Sequence, residues 1–494
     1  MTGVRAACSL RWYRAVVTRM QCTTLGAGSQ CLGERFGRIA RLIFLDITSG
    51  PSWLNAGDNA WQLTSATLVG LMSVPGLAIM YAGLVKRKWA VNSALMVLYA
   101  FAMTLIVWTL FAYNMGFGKP IGFNGGNLLN GILGIPGPVL LPGSEQNQAN
   151  IPLLTGLMPA MHFPQSTLVY FQFVFAAITV IILGGALLGR MSFKAWMLFV
   201  PLWITLVYTP GAFSLWAGGW LSQLGAVDYS GGYVIHVAAG ISGVVAAGVI
   251  GPRLLKDREN GSPSNLLMAI AGGGILWLGW SGFNGGDPYF ANADAAAAVL
   301  NTHLCTATAL VIWMMMDVFF TGKATVTGMI SGMVSGLVAI TPAAGYVNGF
   351  GALIIGIVVG IVPWFTMNRI VPALKAMRGI DDTLGVMHTH LVPGAIGGLL
   401  TGLLADGGMI VYTATGKDTP VSVTGLFYGN PKLLLVQAIA LLFILVWDGA
   451  ATFVLIKLIG LVVPLRMPEA ELEVGDQAVH GDVAFDLLPV GSEA

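Results

Sequence analysis

The chain has 494 residues, 56% of them hydrophobic and only 9% charged, with a formal net charge of +2. Soluble domains carry roughly a quarter charged residues, so this composition excludes an ordinary soluble enzyme, and the near-neutral balance offers nothing to nucleic acid. Four cysteines, three of them in the first 31 residues, form neither a disulfide framework nor a metal-ligand set.

The first fifty residues stand apart, with seven arginines, no lysine, and only Glu34 and Asp46 as acids. The apolar LIFL at 42–45 is too short for a signal-peptide core. An Arg-rich targeting segment is one reading. The favoured one is a disordered extension from an upstream start codon, without a transport role.

From there on, apolar runs long enough to cross about 30 Å of hydrocarbon recur. They fall near 60–85, 89–116, 166–189, 195–221, 230–251, 264–284, 293–320, 325–344, 349–368, 387–405 and 432–464. The expected architecture is an all-α polytopic membrane protein of eleven transmembrane helices (51–464), followed by a tail, 465–494. Basic residues gather in alternate loops: Lys86-Arg87-Lys88, then Arg190 and Lys194, then Arg253, Lys256 and Arg258, then Lys323, then Arg369, Lys375 and Arg378. The intervening loops are poor in Lys and Arg; the long one at 117–165 has only Lys119. The positive-inside rule then puts the N-terminus outside and the tail in the cytoplasm.

Two stretches at the start of the fifth and tenth runs match in spacing. DYSGGYVIHVAAGISGVVAAG begins at Asp228, and DTLGVMHTHLVPGAIGGLLTG begins at Asp382. Both read D-x7-H-x3-G-x2-G-x4-G, giving Asp228, His236, Gly240, Gly243 and Gly248 against Asp382, His390, Gly394, Gly397 and Gly402. Each half (about 60–251 and 264–405) therefore holds five spans, with the eleventh helix outside the repeat. An odd number inverts the second half, the design of many transporters whose sites lie near the midplane. His236 and His390 would then approach one level from opposite faces, and the glycines would let neighbouring helices come close. A lone buried histidine is as often a satisfied core residue as a functional one, but a repeated one argues for a pair. Two neutral imidazoles can share one hydrogen bond and leave their outer nitrogens free. Such a pair suits a small, polar, protonatable substrate and suits an alkali cation poorly.

These segments carry a resemblance. DYSGGYVIHVAAGISGVVAAGVIGPR resembles the signature of the ammonium transporter family, the Amt/Mep/Rh superfamily, and PGLAIMYAGLVKRK, YFQFVFAAIT, GWSGFNGG, TPAAGY and LRMPEAELEVGDQAVHG match further along. SGFNGGDPY and DDTLGVMHTH look most like the second plant subfamily and its microbial relatives. The resemblance implies a transporter or channel of the cell membrane, not an enzyme, with no cofactor and ammonium or ammonia as substrate. It also implies a homotrimer within the lipid bilayer and docking of a cytoplasmic signal-transduction protein. Trp216 and Phe171 match aromatics of an outer recruitment site, and Asp228 the acidic residue beneath it. Phe175 and Phe283 match a stacked phenyl gate, Trp280 a pore-lining aromatic, and His236 and His390 the twin histidines. Taken singly, each aromatic would more often be packing.

Several positions depart from the family pattern. Asp287 stands where relatives often have serine, adding a carboxylate expected to strengthen cation recruitment. Met80 replaces a frequent phenylalanine. His388, two residues before His390, is expected to point away from the histidine axis, since positions i and i+2 of a helix face about 200° apart. His303 has no evident partner, and Asp448 is expected to be paired at a helix contact or near an interface. Two rivals remain: an ammonium sensor signalling through the tail, and an intramembrane metalloenzyme. The second is far weaker, because no HExxH occurs and His388-x-His390 is a poor same-face ligand pair. In the tail, QAVH at 477–480 offers no Ser or Thr for a phosphorylation switch.

Overall fold

The computed structural model describes residues 50–121, 131–155, 157–259, 262–377, 379–411 and 421–485. The N-terminal extension expected from the sequence lies almost entirely outside them. The compact unit that follows spans Asn55–Ala494.

Backbone polar groups in hydrocarbon must be satisfied within the chain, which leaves helices as the spanning solution for apolar runs like these. Among the described residues nine helices are long and apolar enough to cross a membrane. They are α1 (Ala56–Leu84), α2 (Arg87–Phe117), α3 (Gln165–Gly185), α4 (Phe193–Leu224), α5 (Gly232–Ile250), α6 (Leu266–Gly285), α7 (Ala293–Thr321), α9 (Gly349–Ala373) and α11 (Pro431–Gly460). Between them stand α8 (Val326–Ile340) and α10, which runs as Met387–Leu391 and then Val392–Leu404. The one described sheet is a minimal antiparallel pairing of Ile410–Val411 with Val421–Ser422.

Polar side chains mark where these helices begin. Asn55 accepts from the amides of Gly57 and Asp58, and Asn265 from those of Leu267 and Met268. Thr325 and Asn348 do the same for Gly328 and Gly351. Each satisfies amides that have no partner in the first turn. Wide π turns then interrupt the long helices. One contains Pro75 (Met72–Gly76), and others follow Pro201 (Ile204–Tyr208) and Pro363 (Thr366–Ile370). Proline lacks the amide and crowds the preceding turn, so the ladder widens.

Helix α3 forms the centre, with 94% of its apolar window buried, against 28% for α7. α7 packs on α8 and α9, α6 on α1, and α11 on α5 and α10. The chain after α11 folds back over one end of the bundle. Asp476 accepts from the amides of Val91 (2.7 Å) and Asn92 (2.9 Å) at the start of α2, and Asn92 also meets His480 at 2.9 Å. Lys88 donates to the Leu472 carbonyl and pairs with Asp257, and Lys256 pairs with Glu473. Burial pushes the Asp476 carboxyl up to about 6, against the two amides that favour its charged form. Buried Arg190 joins the same end, donating to Gly251 (2.7 Å), to the Thr383 hydroxyl (2.8 Å) and to the Asp381 carbonyl.

Candidate functional site

Both repeated histidines lie in π turns that open their helices, His236 in Gly232–Val237 and His390 in Met387–Leu391. Such turns often mark functional positions in helices. Each follows a glycine in the left-handed region, Gly231 (φ 108°) and Gly385 (φ 71°), where a side chain would be strained. Both glycines come three residues after the repeat's aspartate, so the shared pattern is wider than the spacing read from the sequence. The aspartates hold the turns. Asp228 Oδ2 accepts from Tyr233 (2.9 Å) and Val234 (3.0 Å), and Asp382 Oδ2 accepts from Met387 (2.7 Å). In each the other oxygen, Oδ1, is buried without a partner among the described residues.

The two halves then lock together through small residues. A Cβ on Gly240 would lie 2.5 Å from Leu391 Cβ and 2.7 Å from its amide nitrogen. One on Gly394 would lie 2.7 Å from the Gly232 carbonyl and 3.2 Å from His236 Cβ. Each glycine thus seats the histidine turn of the opposite half. The result is a contact of 3.2 Å between His236 Nδ1 and His390 Nδ1, with ring centroids 5.3 Å apart. Two lone pairs, or two N–H groups, would repel at that distance, so one Nδ1 carries a proton and the other accepts it. His236 is fully buried, and its Nε2 has no partner among the described residues.

An aromatic column continues from this pair. His236 stacks on Trp280 (5.4 Å, 17°) and Phe283 (6.0 Å, 28°), and Phe283 stacks on Phe175 at 4.4 Å. Phe171 follows at 4.7 Å from Phe175, and Trp216 stands edge-on to Phe175 at 6.2 Å. Trp280 is fixed by a 3.0 Å bond to the Thr341 hydroxyl, and Trp216 by a 2.7 Å bond to the Asp228 carbonyl.

A cavity lies toward each end of the column. The one beside Asp228, about 270 Å³, is walled by Trp216, Asp228, Tyr229, Asp287, Tyr289 and Tyr346. The one beside Asp382, about 480 Å³, is walled by Met80, Asp382, His388 and His390 among others. Burial pushes the Asp228 carboxyl up to about 6, with the amides of Val234 and Tyr233 pulling the other way. Burial raises Asp287 well above the ordinary carboxylate range, and the neighbouring carboxylates of Asp228 and Asp294 push in the same direction.

The sequence-based expectations fare unevenly against this geometry. His236, His390, Phe175, Phe283 and Trp280 come together, and Trp216, Asp228 and Asp287 share one cavity. Phe171 is fully buried beneath Tyr289 (6.1 Å) instead of standing in the cavity wall. Asp287 is buried in the wall of that cavity. His388 lines the same cavity as His390, because the cavity wraps around the opening turn of α10 and reaches both faces. His303 has two partners, accepting from Trp277 Nε1 at Nδ1 (3.0 Å) and meeting the Ser281 hydroxyl at Nε2 (2.9 Å). Asp448 is buried in α11, and its Oδ1 has no partner among the described residues. Sequence reasoning missed Tyr289 as a site residue, although it lies within the quoted SGFNGGDPY. Its φ of 63° is the only left-handed non-glycine among the described residues, a strain of the kind found at functional sites.

Residues 60–485 match the model of the Ammonium Transporter Family. Ammonium transporter 3 member 2 of Oryza sativa subsp. japonica is 51% identical over 446 residues, covering 89% of this chain and 91% of that protein. Ammonium transporter 2 of Arabidopsis thaliana is 50% identical over 446 residues, covering 90% and 91%. Among solved structures, Saccharomyces cerevisiae Mep2 superposes with a TM-score of 0.72 at 28% identity, over 85% of this chain and 89% of that one. Candida albicans Mep2 gives 0.70 at 28% identity, over 85% and 88%.

Proposed function

We propose, for a chain that belongs to the ammonium transporter family and is an integral multi-pass membrane protein, a pathway in which ammonium is recruited outside, deprotonated, and carried across as ammonia. The observation that carries this reading is the stacked Phe175–Phe283 pair directly above a 3.2 Å histidine contact, with a cavity toward each end. In this reading the eleven helices all span, with α1–α5 and α6–α10 as inverted repeats. The N-terminus is outside, so the Asp228 cavity is the outer vestibule and the Asp382 cavity the inner one. Three copies form the working assembly, each with its own pore.

The chemistry follows from the surroundings. A cation in the outer cavity meets the π face of Trp216 and the carboxylates of Asp228 and Asp287. A cation over an aromatic face gains about 0.5–2 kcal/mol, depending on desolvation. Beyond the phenyl pair the walls are apolar, and an unpaired charge there costs many kcal/mol, so neutralisation is cheaper than passage. Ammonium can surrender a proton. Sodium and potassium have no neutral form and are rejected. Past the gate, the outer nitrogens of the histidine pair offer ammonia both a donor and an acceptor. The sensor reading rests on the tail, which ties α2 to the 251–258 loop and offers a surface for a cytoplasmic signalling protein.

Uptake of labelled methylammonium into cells lacking their own carriers separates transport from sensing. Wild-type protein should accumulate label and the folded His236→Ala variant should show altered rate or ion selectivity. A folded His236→Ala protein with unchanged uptake and unchanged ion rejection would remove the histidine pair from the mechanism.

A further inference from the structure

His388 is left over by this pathway. The repeat has Val234 at the corresponding place in the first half, two residues before His236. The extra imidazole therefore exists on one side of the histidine pair only. It is 9% exposed, and the surface it keeps faces the cavity it shares with His390.

Its hydrogen bonding sets its chemistry. Nδ1 lies 3.1 Å from the hydroxyl of Thr366, and that hydroxyl lies 2.9 Å from the Pro363 carbonyl. A hydroxyl has one proton to give. Donating it to the Pro363 carbonyl, Thr366 can only accept from His388, so Nδ1 carries the ring hydrogen and Nε2 keeps its lone pair. Nε2 has no hydrogen-bond partner among the described residues. A cavity of about 480 Å³ has room for several waters, each needing about 30 Å³.

Other titratable groups in that cavity are Tyr81, Asp381, Asp382 and His390. Asp381 is neutralised by a two-pronged bond from Arg253 (2.8 and 2.9 Å). Asp382 spends Oδ2 on the Met387 amide, and its Oδ1 has no partner among the described residues. His388 thus has a lone pair open to a cavity whose wall also includes Asp382.

We propose that His388 is the base at which ammonium is re-formed on the cytoplasmic side. A proton passed through the His236–His390 pair and the cavity water binds Nε2 and makes an imidazolium. Ammonia leaving the pore then takes that proton: the Nε2–H bond breaks, a fourth N–H bond forms on the substrate, and the ring returns to neutral. Each turnover removes one ammonium outside, makes one inside, and moves one charge per nitrogen. This step rests on the ammonia-conduit reading above.

The test measures two quantities in the same proteoliposomes of full-length protein: labelled methylammonium uptake, and charge moved after an ammonium jump on a solid-supported membrane. Wild-type protein should move about one charge per nitrogen. In His388→Gln the charge per nitrogen should fall at least about tenfold, whatever uptake remains, since positioned acid–base groups are worth more than that. Thr366→Val, which frees the tautomer without removing the ring, should lower the ratio less. If His388→Gln does not fold, an unchanged ratio in Thr366→Val overturns the proposal. An unchanged ratio in folded His388→Gln overturns it, and so does wild-type uptake without charge. Absence of wild-type uptake would instead sink the conduit reading itself.

Discussion

Replacing Gly240 with alanine tests whether the histidine pair is set by the backbone of the opposite half. The added Cβ would stand 2.5 Å from Leu391 Cβ, 2.7 Å from its amide nitrogen and 2.8 Å from its Cα. Carbon atoms normally approach to about 3.5–4.0 Å, so the two turns must separate by about 1 Å. No rotamer change relieves this, because two of the three atoms are backbone. Leu391 follows His390 directly, and the 3.2 Å contact would then open past hydrogen-bonding range. Overpacking of this kind costs about 1–3 kcal/mol, and the lost bond about 0.5–1.5 kcal/mol more. Methylammonium uptake should fall by about fivefold or more, as expected for a loss of one to two kcal/mol, with a lower melting temperature for the purified protein. Gly248, from the same motif, supplies the control. Its added Cβ would meet only Ile380 Cγ1, at 3.8 Å, so Gly248→Ala should be neutral or slightly stabilising through helix propensity. Equal activity and equal melting of the two variants would refute the reasoning.

The outer cavity predicts a pH dependence. Burial raises Asp228 to about 6 and lifts Asp287 well above the ordinary carboxylate range, so the cavity's negative charge is present on the alkaline side and is lost as external pH falls. The KM for methylammonium should therefore rise by about fivefold between pH 7.5 and 5, as expected for roughly 1 kcal/mol of screened attraction. Asp287→Asn should raise KM on the alkaline side, with an effect that shrinks as external pH falls and the raised wild-type carboxyl takes up its proton. A pH-independent KM would contradict both statements. At the tail, Asp476→Ala removes the acceptor for two amides at the start of α2. Unsatisfied buried groups cost about 1–3 kcal/mol, so residues 469–481 should become markedly more sensitive to limited proteolysis while the bundle's melting temperature stays nearly constant.

How far the sequence could be read depended on the range of the physics involved. Apolar runs located α1–α11 to within about five residues, because hydrocarbon permits few alternatives to a helix. The D-x7-H spacing found the histidine pair, because a repeated turn needs the same cap and the same clearance. The π turns were invisible, since an apolar run looks alike whether its ladder holds 3.6 residues per turn or more. The partners of His303 and His388 were equally hidden: Trp277 and Thr366 lie on other helices, 26 and 22 residues away along the chain. Phe171 and Phe175 lie one turn apart on α3, yet both proved fully buried, and only packing against α6 and the 286–289 turn decided the depth of each.

The pseudo-symmetry explains why the pair could be read and its surroundings could not. Asp228 and Asp382, Gly231 and Gly385, Gly240 and Gly394 are all constraints of one backbone shape used twice, so they leave a spacing in the sequence. Each histidine turn is gripped by backbone of the opposite half, which fixes the rings more firmly than side-chain packing alone would. What differs between the two sides is side-chain chemistry grafted onto that shared frame. Trp216, Asp287 and Tyr289 stand around one cavity, and Met80, His388 and Thr366 around or beside the other. A symmetric frame with unlike ends has no reason to handle its substrate identically in both directions. The direction dependence of transport should therefore reside in these six residues and not in the histidine pair, so exchanging His388 for valine, the residue its counterpart position carries, should make inward and outward rates more alike. Rates that stay as unequal as in the wild type would place the asymmetry elsewhere.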